Sequence, residues 1–150
     1  IKEVVKERNI HTLWFEAHFM YRKQLAKFAE QFDGVEVKFR CGVESFDGQL
    51  REQWKKGIAA NVTVADVAKH FQGVCLLCCT KGDTKERILR DIALAEQYFE
   101  YASVNVFCEN STSVKRDDGL AKWFVEEVYP TLKQSKKIET LINNTDLGVG

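Results

Sequence analysis

The chain has one proline, Pro130, and only nine glycines in 150 residues. Without stretches rich in proline, glycine or serine it has no linker and no low-complexity segment. Residues 1–150 therefore read as a single domain, long enough to bury a core. No apolar run reaches the length needed to cross a bilayer, and no signal peptide opens the chain. A surplus of one charge is missing too, since 22 lysines and arginines balance 22 aspartates and glutamates. Composition thus gives no push toward nucleic acid, membrane or an acidic partner. Also absent are G-x-S-x-G, a Walker loop, G-x-G-x-x-G and H-E-x-x-H, so the commonest nucleophile, phosphate and zinc motifs are not signalled. Ile1 stands where an initiating methionine would, and a processed product or a fragment is expected.

The cysteines number five, an odd count: Cys41, Cys75, Cys78, Cys79 and Cys108. Most lie inside apolar, strand-like runs. Buried free thiols in a reducing compartment are the expectation, and a cytoplasmic location follows from it. Cys75-x-x-Cys78-Cys79 has the outline of a metal or redox motif. Positions 75 and 78 fall on opposite faces of a strand, however, and no second pair sits nearby. No metal site is expected from these residues.

What the sequence does have is alternation. From Val35 to Glu44, Val35, Val37, Phe39, Cys41 and Val43 point one way, and Glu36, Lys38, Arg40, Gly42 and Glu44 the other. A period of two marks a strand. Its charged face meets water or a polar ligand rather than a barrel filled with branched apolar residues. Thr12 to Phe19 alternates likewise, with Trp14, Glu16 and His18 on the mixed face. Gly73 to Cys79 is an almost wholly apolar strand, Ser103 to Glu109 a fourth and Ile138 to Ile142 a fifth. Between them lie helical patterns over Tyr21–Phe32, Gln49–Lys56, Ala65–Phe71, Thr84–Glu100 and from Asp117 or Asp118 to about Val128. Asp83-Thr84 reads as a helix cap, Pro130 as a helix stop and Asn143–Gly150 as a polar tail. Strand and helix alternate about every 30 residues with no hairpin signal, which implies right-handed βαβ units. The fold class is α/β: an open, curved parallel sheet of about five strands with flanking helices, a partial TIM-like barrel. The uncovered edge at its first strand invites self-association.

In such sheets ligands gather at the carboxyl ends of the strands. The polar residues there are Glu16, His18, Arg40, Glu44, Ser45, Thr80, Lys81, Asn105, Glu109 and Asn110. Three carboxylates and an arginine on one face suit hydroxyls and a cationic group. Plain ion pairs are open as well, Glu44 with Arg40, Lys55 or Lys56, and Glu16 with Arg40 across the sheet. His18 reads as a strand-end packing residue, and Trp14 and Phe107 as partial core. Glu16 and Glu109 also suit a hydrolase with a carboxylate pair in a barrel cleft, given a separation of about 5–10 Å. A non-catalytic binding module is the third reading.

Gly42-Val43-Glu44-Ser45-Phe46-Asp47 resembles the G-[IV]-[QE]-S-F-[DN] turn at the fourth strand of radical S-adenosylmethionine enzymes. The branch is that of oxygen-independent coproporphyrinogen oxidase and the Elongator catalytic subunit. Leu13-Trp14-Phe15-Glu16 is similar to the third strand with its acid, Gly73 to Thr84 to the fifth strand and the helix start after it, and Ser103 to Thr112 to the sixth. The resemblance covers about residues 10–115. It implies that the chain is the C-terminal portion of a partial (β/α)6 barrel. The parent would cleave S-adenosylmethionine, a small-molecule cofactor, with a [4Fe–4S] cluster to make a 5′-deoxyadenosyl radical, acting on an unidentified substrate. By resemblance Glu16 and Glu44, with Ser45 beside it, meet the cofactor's amino-acid and ribose parts, and Lys56 meets its carboxylate. Arg40 belongs to the same wall. Cys75 replaces the family's ribose-binding aspartate. The C-x-x-x-C-x-x-C segment is lacking, so the cluster belongs to the full-length parent only, and this chain alone is expected to be inactive.

Overall fold

The computed structural model describes residues 1–143. Helix α1 (Lys2–Glu7) leads into strand β1 (Thr12–Glu16). A 3-10 turn (Phe19–Tyr21) and helix α2 (Leu25–Ala29) then carry the chain to β2 (Glu36–Glu44). Helices α3 (Gly48–Gln53) and α4 (Val64–Ala68) precede β3 (Gly73–Cys78). Helix α5 (Lys85–Tyr98) connects to β4 (Tyr101–Val106). Helix α6 (Asp118–Trp123), a π-helical turn (Phe124–Val128) and α7 (Tyr129–Leu132) connect to β5 (Ile138–Leu141).

The five strands form one sheet in sequence order, and every neighbouring pair is parallel. Right-handed crossovers taken in that order put all helices on the same side and leave the other side to curl as a half-barrel. The core lies between sheet and helices. Phe39, Cys41 and Val43 of β2, Val74 and Leu76 of β3, and Val104 and Val106 of β4 are buried there against Ile88, Ile92, Phe99 and Phe124. Each side chain of Val to Phe size sealed in that layer contributes about 1.5–3 kcal/mol.

Local chemistry sets the boundaries. Asp47 caps α3 by accepting from the backbone N–H of Gln49 and Leu50, Thr63 and Asp66 form a capping box on α4, and Thr84 and Asp117 cap α5 and α6. Several expected bounds shift. Strand β1 stops at Glu16 rather than Phe19, because the His18 side chain caps the 3-10 turn. The expected helix 21–32 is broken into that turn and the five residues of α2. Strand β4 stops at Val106, which leaves Glu109 in an exposed loop. Pro130 does not end its helix. The π turn before it resets the hydrogen-bond register, so that Pro130 falls in the first turn of α7, where a missing N–H costs nothing. Residues 144–150 of the expected polar tail lie outside the described residues.

Candidate functional site

The uncovered face of the sheet is built from alternate residues. Trp14 and Glu16 of β1 lie beside Lys38 and Arg40 of β2, Gly42 beside Cys75, Cys75 beside Ser103, and Ser103 beside Glu139. Gly42 is the centre. A β-carbon built on it would meet Glu16 Oε1 at 3.6 Å and Glu44 Oε1 at 3.7 Å. Two carboxylates thus converge on a cradle that the missing side chain leaves open.

Each carboxylate has its own cation. The Arg40 guanidinium lies 3.1 Å from Glu16 Oε2, and Lys56 Nζ lies 2.7 Å from Glu44 Oε1. These pairs are partly withdrawn from solvent, so they are screened less than fully exposed surface pairs. Burial works against the Arg40 charge, yet Cys75, Glu16 and Tyr101 outweigh it and hold the guanidinium above its ordinary value. The Cys75 thiol is 3.8 Å from Glu16 Oε2, and burial pushes it up to about 11. Cys75 is therefore a neutral, weak donor near neutral pH.

Glu44 is placed by a strained turn. Its φ is +62°, and the Ser45 N–H donates to the Val43 carbonyl across 2.8 Å. An i to i+2 bond around a positive φ is a γ-turn of the rare kind, and the left-handed conformation costs a non-glycine residue about 1–2 kcal/mol. Strain of this sort persists where surrounding structure holds it, and it clusters at functional sites. Here the holding is done by Asp91 of α5. Its carboxylate accepts from the Ser45 hydroxyl (2.6 Å), the Phe46 N–H (3.2 Å) and Arg87 (2.9 Å). Arg87 is also bonded to Asp83, whose carboxylate accepts from the Cys79 N–H at the end of β3. Asp83 is thus more than part of a cap.

Of the residues singled out from sequence, Glu16, Arg40, Glu44, Lys56 and Cys75 share this hollow. Ser45 does not. It is fully buried toward α5, because the period of two that turns Glu44 inward turns its neighbour outward. Glu109 is off the sheet, in an exposed loop three residues beyond the end of β4. Strand pairing therefore does not bring together the two acids of the carboxylate-pair hydrolase. Phe107 is buried as core, whereas Trp14 is 41% exposed on the concave face, tilted against Tyr101 with ring centroids 5.6 Å apart. Burial and a hydrogen bond to Glu139 hold the Tyr101 phenol well above its usual range, so it stays a donor.

Residues that sequence reasoning missed include Arg51, fully buried and donating to the carbonyls of Ser45, Ala59, Ala60 and Val62. It pins the loop beyond α3 beneath the site. The spacing Asp83, Arg87, Asp91, four residues apart from just before the cap of α5 into the helix, was the available signal for the buried network. All five cysteines are free, and among the described residues no group of three or more His, Cys, Asp or Glu side chains suits a metal ion. Cys41, Cys78 and Cys79 are buried, and Cys41 and Cys78 lie on the helix side of the sheet, opposite Cys75. No helix among the described residues is long and apolar enough to cross a membrane.

No protein-family model and no curated protein matches the chain. Among solved structures it is similar to a queuine lyase from Clostridium spiroforme bound to SAM and queuine, with 35% identity and a TM-score of 0.89. The match covers 99% of this chain and 64% of that one, so the chain spans less than two thirds of the neighbour's length. With the half-barrel and the Gly42–Asp47 turn, this places the chain in the radical S-adenosylmethionine superfamily, as a part of its core domain.

Proposed function

We propose that the chain forms the later wall of a radical S-adenosylmethionine enzyme's partial (β/α)6 barrel, and that the hollow over Gly42 holds the polar end of that cofactor. The observation that carries this is the pair of carboxylates, Glu16 and Glu44, meeting over a residue with no side chain. An acid pair of this kind suits an ammonium and two ribose hydroxyls. Arg40 orients Glu16 through their ion pair, and Lys56, already at Glu44, is the cation for the cofactor's carboxylate. Cys75 stands beside them as a neutral thiol. It gives a smaller contact than the aspartate it replaces. Ser45 acts from behind, fixing the turn that presents Glu44.

S-adenosylmethionine, once bound and reduced, supplies radical hydrogen abstraction to the parent enzyme. The residues of this chain bind and orient it. They do not suit the [4Fe–4S] cluster, because its thiolates would have to face the hollow and only Cys75 among the buried cysteines does so. The cluster ligands belong to a segment outside this chain, and no cluster step falls to these residues.

The neighbour is bound to queuine, and a small polar ring compound on the concave face beside Ser103 and Asn105 is the substrate class we carry over, with queuine the first candidate to try. The test is anaerobic reconstitution of the full-length protein followed by titration with S-adenosylmethionine. A brown, iron-loaded protein is expected, with affinity falling about tenfold or more in Glu16→Gln and Glu44→Gln, as when a charge-assisted contact is lost. A colourless, iron-free product, or binding indifferent to both substitutions, overturns the proposal.

A further inference from the structure

We infer that His18 is a positioning residue for Lys56, and through it for the carboxylate end of the cofactor; the inference rests on the reading of Lys56 above. The argument begins with the imidazole's two nitrogens. Nδ1 lies 3.2 Å from the Met20 backbone nitrogen, whose N–H it accepts to cap the 3-10 turn after β1. An accepting Nδ1 leaves the proton on Nε2, and Nε2 donates it to the Lys56 carbonyl at 2.6 Å. One neutral tautomer therefore ties together two connections 38 positions apart, both at the carboxyl rim of the sheet.

The tie matters because of where Lys56 sits. It lies between two left-handed residues, Lys55 at φ +54° and Gly57 at φ +67°. Such a turn has little local preference for holding its shape. Its backbone is gripped from both sides, the Lys56 N–H by the Arg51 carbonyl at 3.0 Å and the Lys56 carbonyl by His18. The turn also rests on the imidazole itself: a β-carbon on Gly57 would meet His18 Cε1 at 3.6 Å and Nε2 at 3.7 Å. A lysine ammonium on four flexible methylenes is aimed only as well as its backbone is fixed. With the backbone held, the ammonium sits 2.7 Å from Glu44 and at the edge of the hollow.

The two jobs of His18 are separable by substitution, which makes the inference testable. In His18→Asn the shorter amide retains an acceptor for the Met20 N–H, asparagine being a good cap, and loses the reach to Lys56. In His18→Gln the longer amide still donates to the Lys56 carbonyl. Binding is measured on the reconstituted full-length protein with S-adenosylmethionine and with 5′-methylthioadenosine, which lacks the amino-acid carboxylate. Thermal unfolding of each variant checks the fold. The expected result is that His18→Asn weakens S-adenosylmethionine roughly three- to tenfold, the worth of one hydrogen bond. Binding of 5′-methylthioadenosine is unchanged, and His18→Gln restores the loss. Adding His18→Asn to Lys56→Met costs nothing beyond Lys56→Met alone. Equal weakening of both ligands, or an additive loss in the double variant, overturns the inference. So does full affinity in His18→Asn when Lys56→Met weakens binding, and that outcome leaves the cofactor reading standing. Full affinity in Lys56→Met overturns that reading of Lys56 and the inference with it.

Discussion

The Ser45 hydroxyl donates to the Asp91 carboxylate across 2.6 Å, 46 positions apart in sequence, with both side chains buried. This bond joins the strained turn at the end of β2 to the middle of α5. Asp91 also faces Arg87, so one carboxylate satisfies a hydroxyl, a backbone N–H and a buried guanidinium. Asp91→Ala should lower the unfolding free energy by about 3–5 kcal/mol, since it strips a partner from a buried charge. Ser45→Ala should cost about 1–2 kcal/mol, one buried hydrogen bond. Urea denaturation checks both, and a loss below about 1 kcal/mol for Asp91→Ala would mean that the network does not hold the turn.

Gly42 separates stability from binding. It lies within β2, where valine is favoured over glycine, and its φ is not in the left-handed region. Gly42→Val should leave the unfolding midpoint unchanged or slightly raised. The same substitution fills the cradle between Glu16 and Glu44, and overpacking of about 1–3 kcal/mol translates to roughly 5- to 150-fold weaker S-adenosylmethionine binding. Calorimetric titration alongside thermal unfolding reads both. Undiminished affinity would show that the ligand does not enter the cradle.

Glu44 carries the converse trade. Glycine adopts φ +62° without strain, so Glu44→Gly should stabilise the fold by about 0.5–1 kcal/mol, even after the half-exposed pair with Lys56 is lost. Binding should be abolished with it. Glu44→Gln keeps the strain and should leave stability within about 0.5 kcal/mol. Denaturant curves on the two variants decide it, and a destabilised Glu44→Gly would show that the turn is relaxed.

The thiols set an alkaline limit. Burial raises Cys75 from an ordinary 9.0 to about 11 and Cys41 to about 12. A thiol raised in the folded state holds its proton more tightly there than in the unfolded chain. Its contribution is complete below pH 9, and it shrinks as pH climbs through the folded values. Stability should therefore fall between about pH 9 and 12, and Cys41→Ala with Cys75→Ala should flatten that slope. Unfolding curves at stepped pH read it directly, and an unchanged slope in the double variant would refute the assignment.

Much of the sheet was legible in the chain because strand alternation is a local property. Each of the five strands overlaps an apolar or alternating run, and Glu16, Arg40 and Glu44 share a face because register keeps even positions together. Helix ends were less legible. Pro130 looked like a stop, since the π turn that admits it depends on packing rather than on propensity. Ser45 was grouped with Glu44 by adjacency, although the same period of two places it on the far side. Its partner Asp91 is a residue of the apolar stripe on α5, and only tertiary contact shows why an acid belongs there. Likewise His18 looked like packing, because its bond to Lys56 crosses between two loops that no local pattern relates.

Because the crossover helices lie on one side of the sheet, neighbouring codons along each strand answer to different masters. Odd positions such as Phe39, Cys41 and Val43 are sealed in the core, while Arg40 and Gly42 lie on the opposite, concave face, where the proposed ligand would sit. A lineage could therefore change its ligand by editing Trp14, Arg40, Cys75, Ser103 or Asn105 without reopening the interior. Directed selection confined to those sites would retain expression level while drifting in specificity.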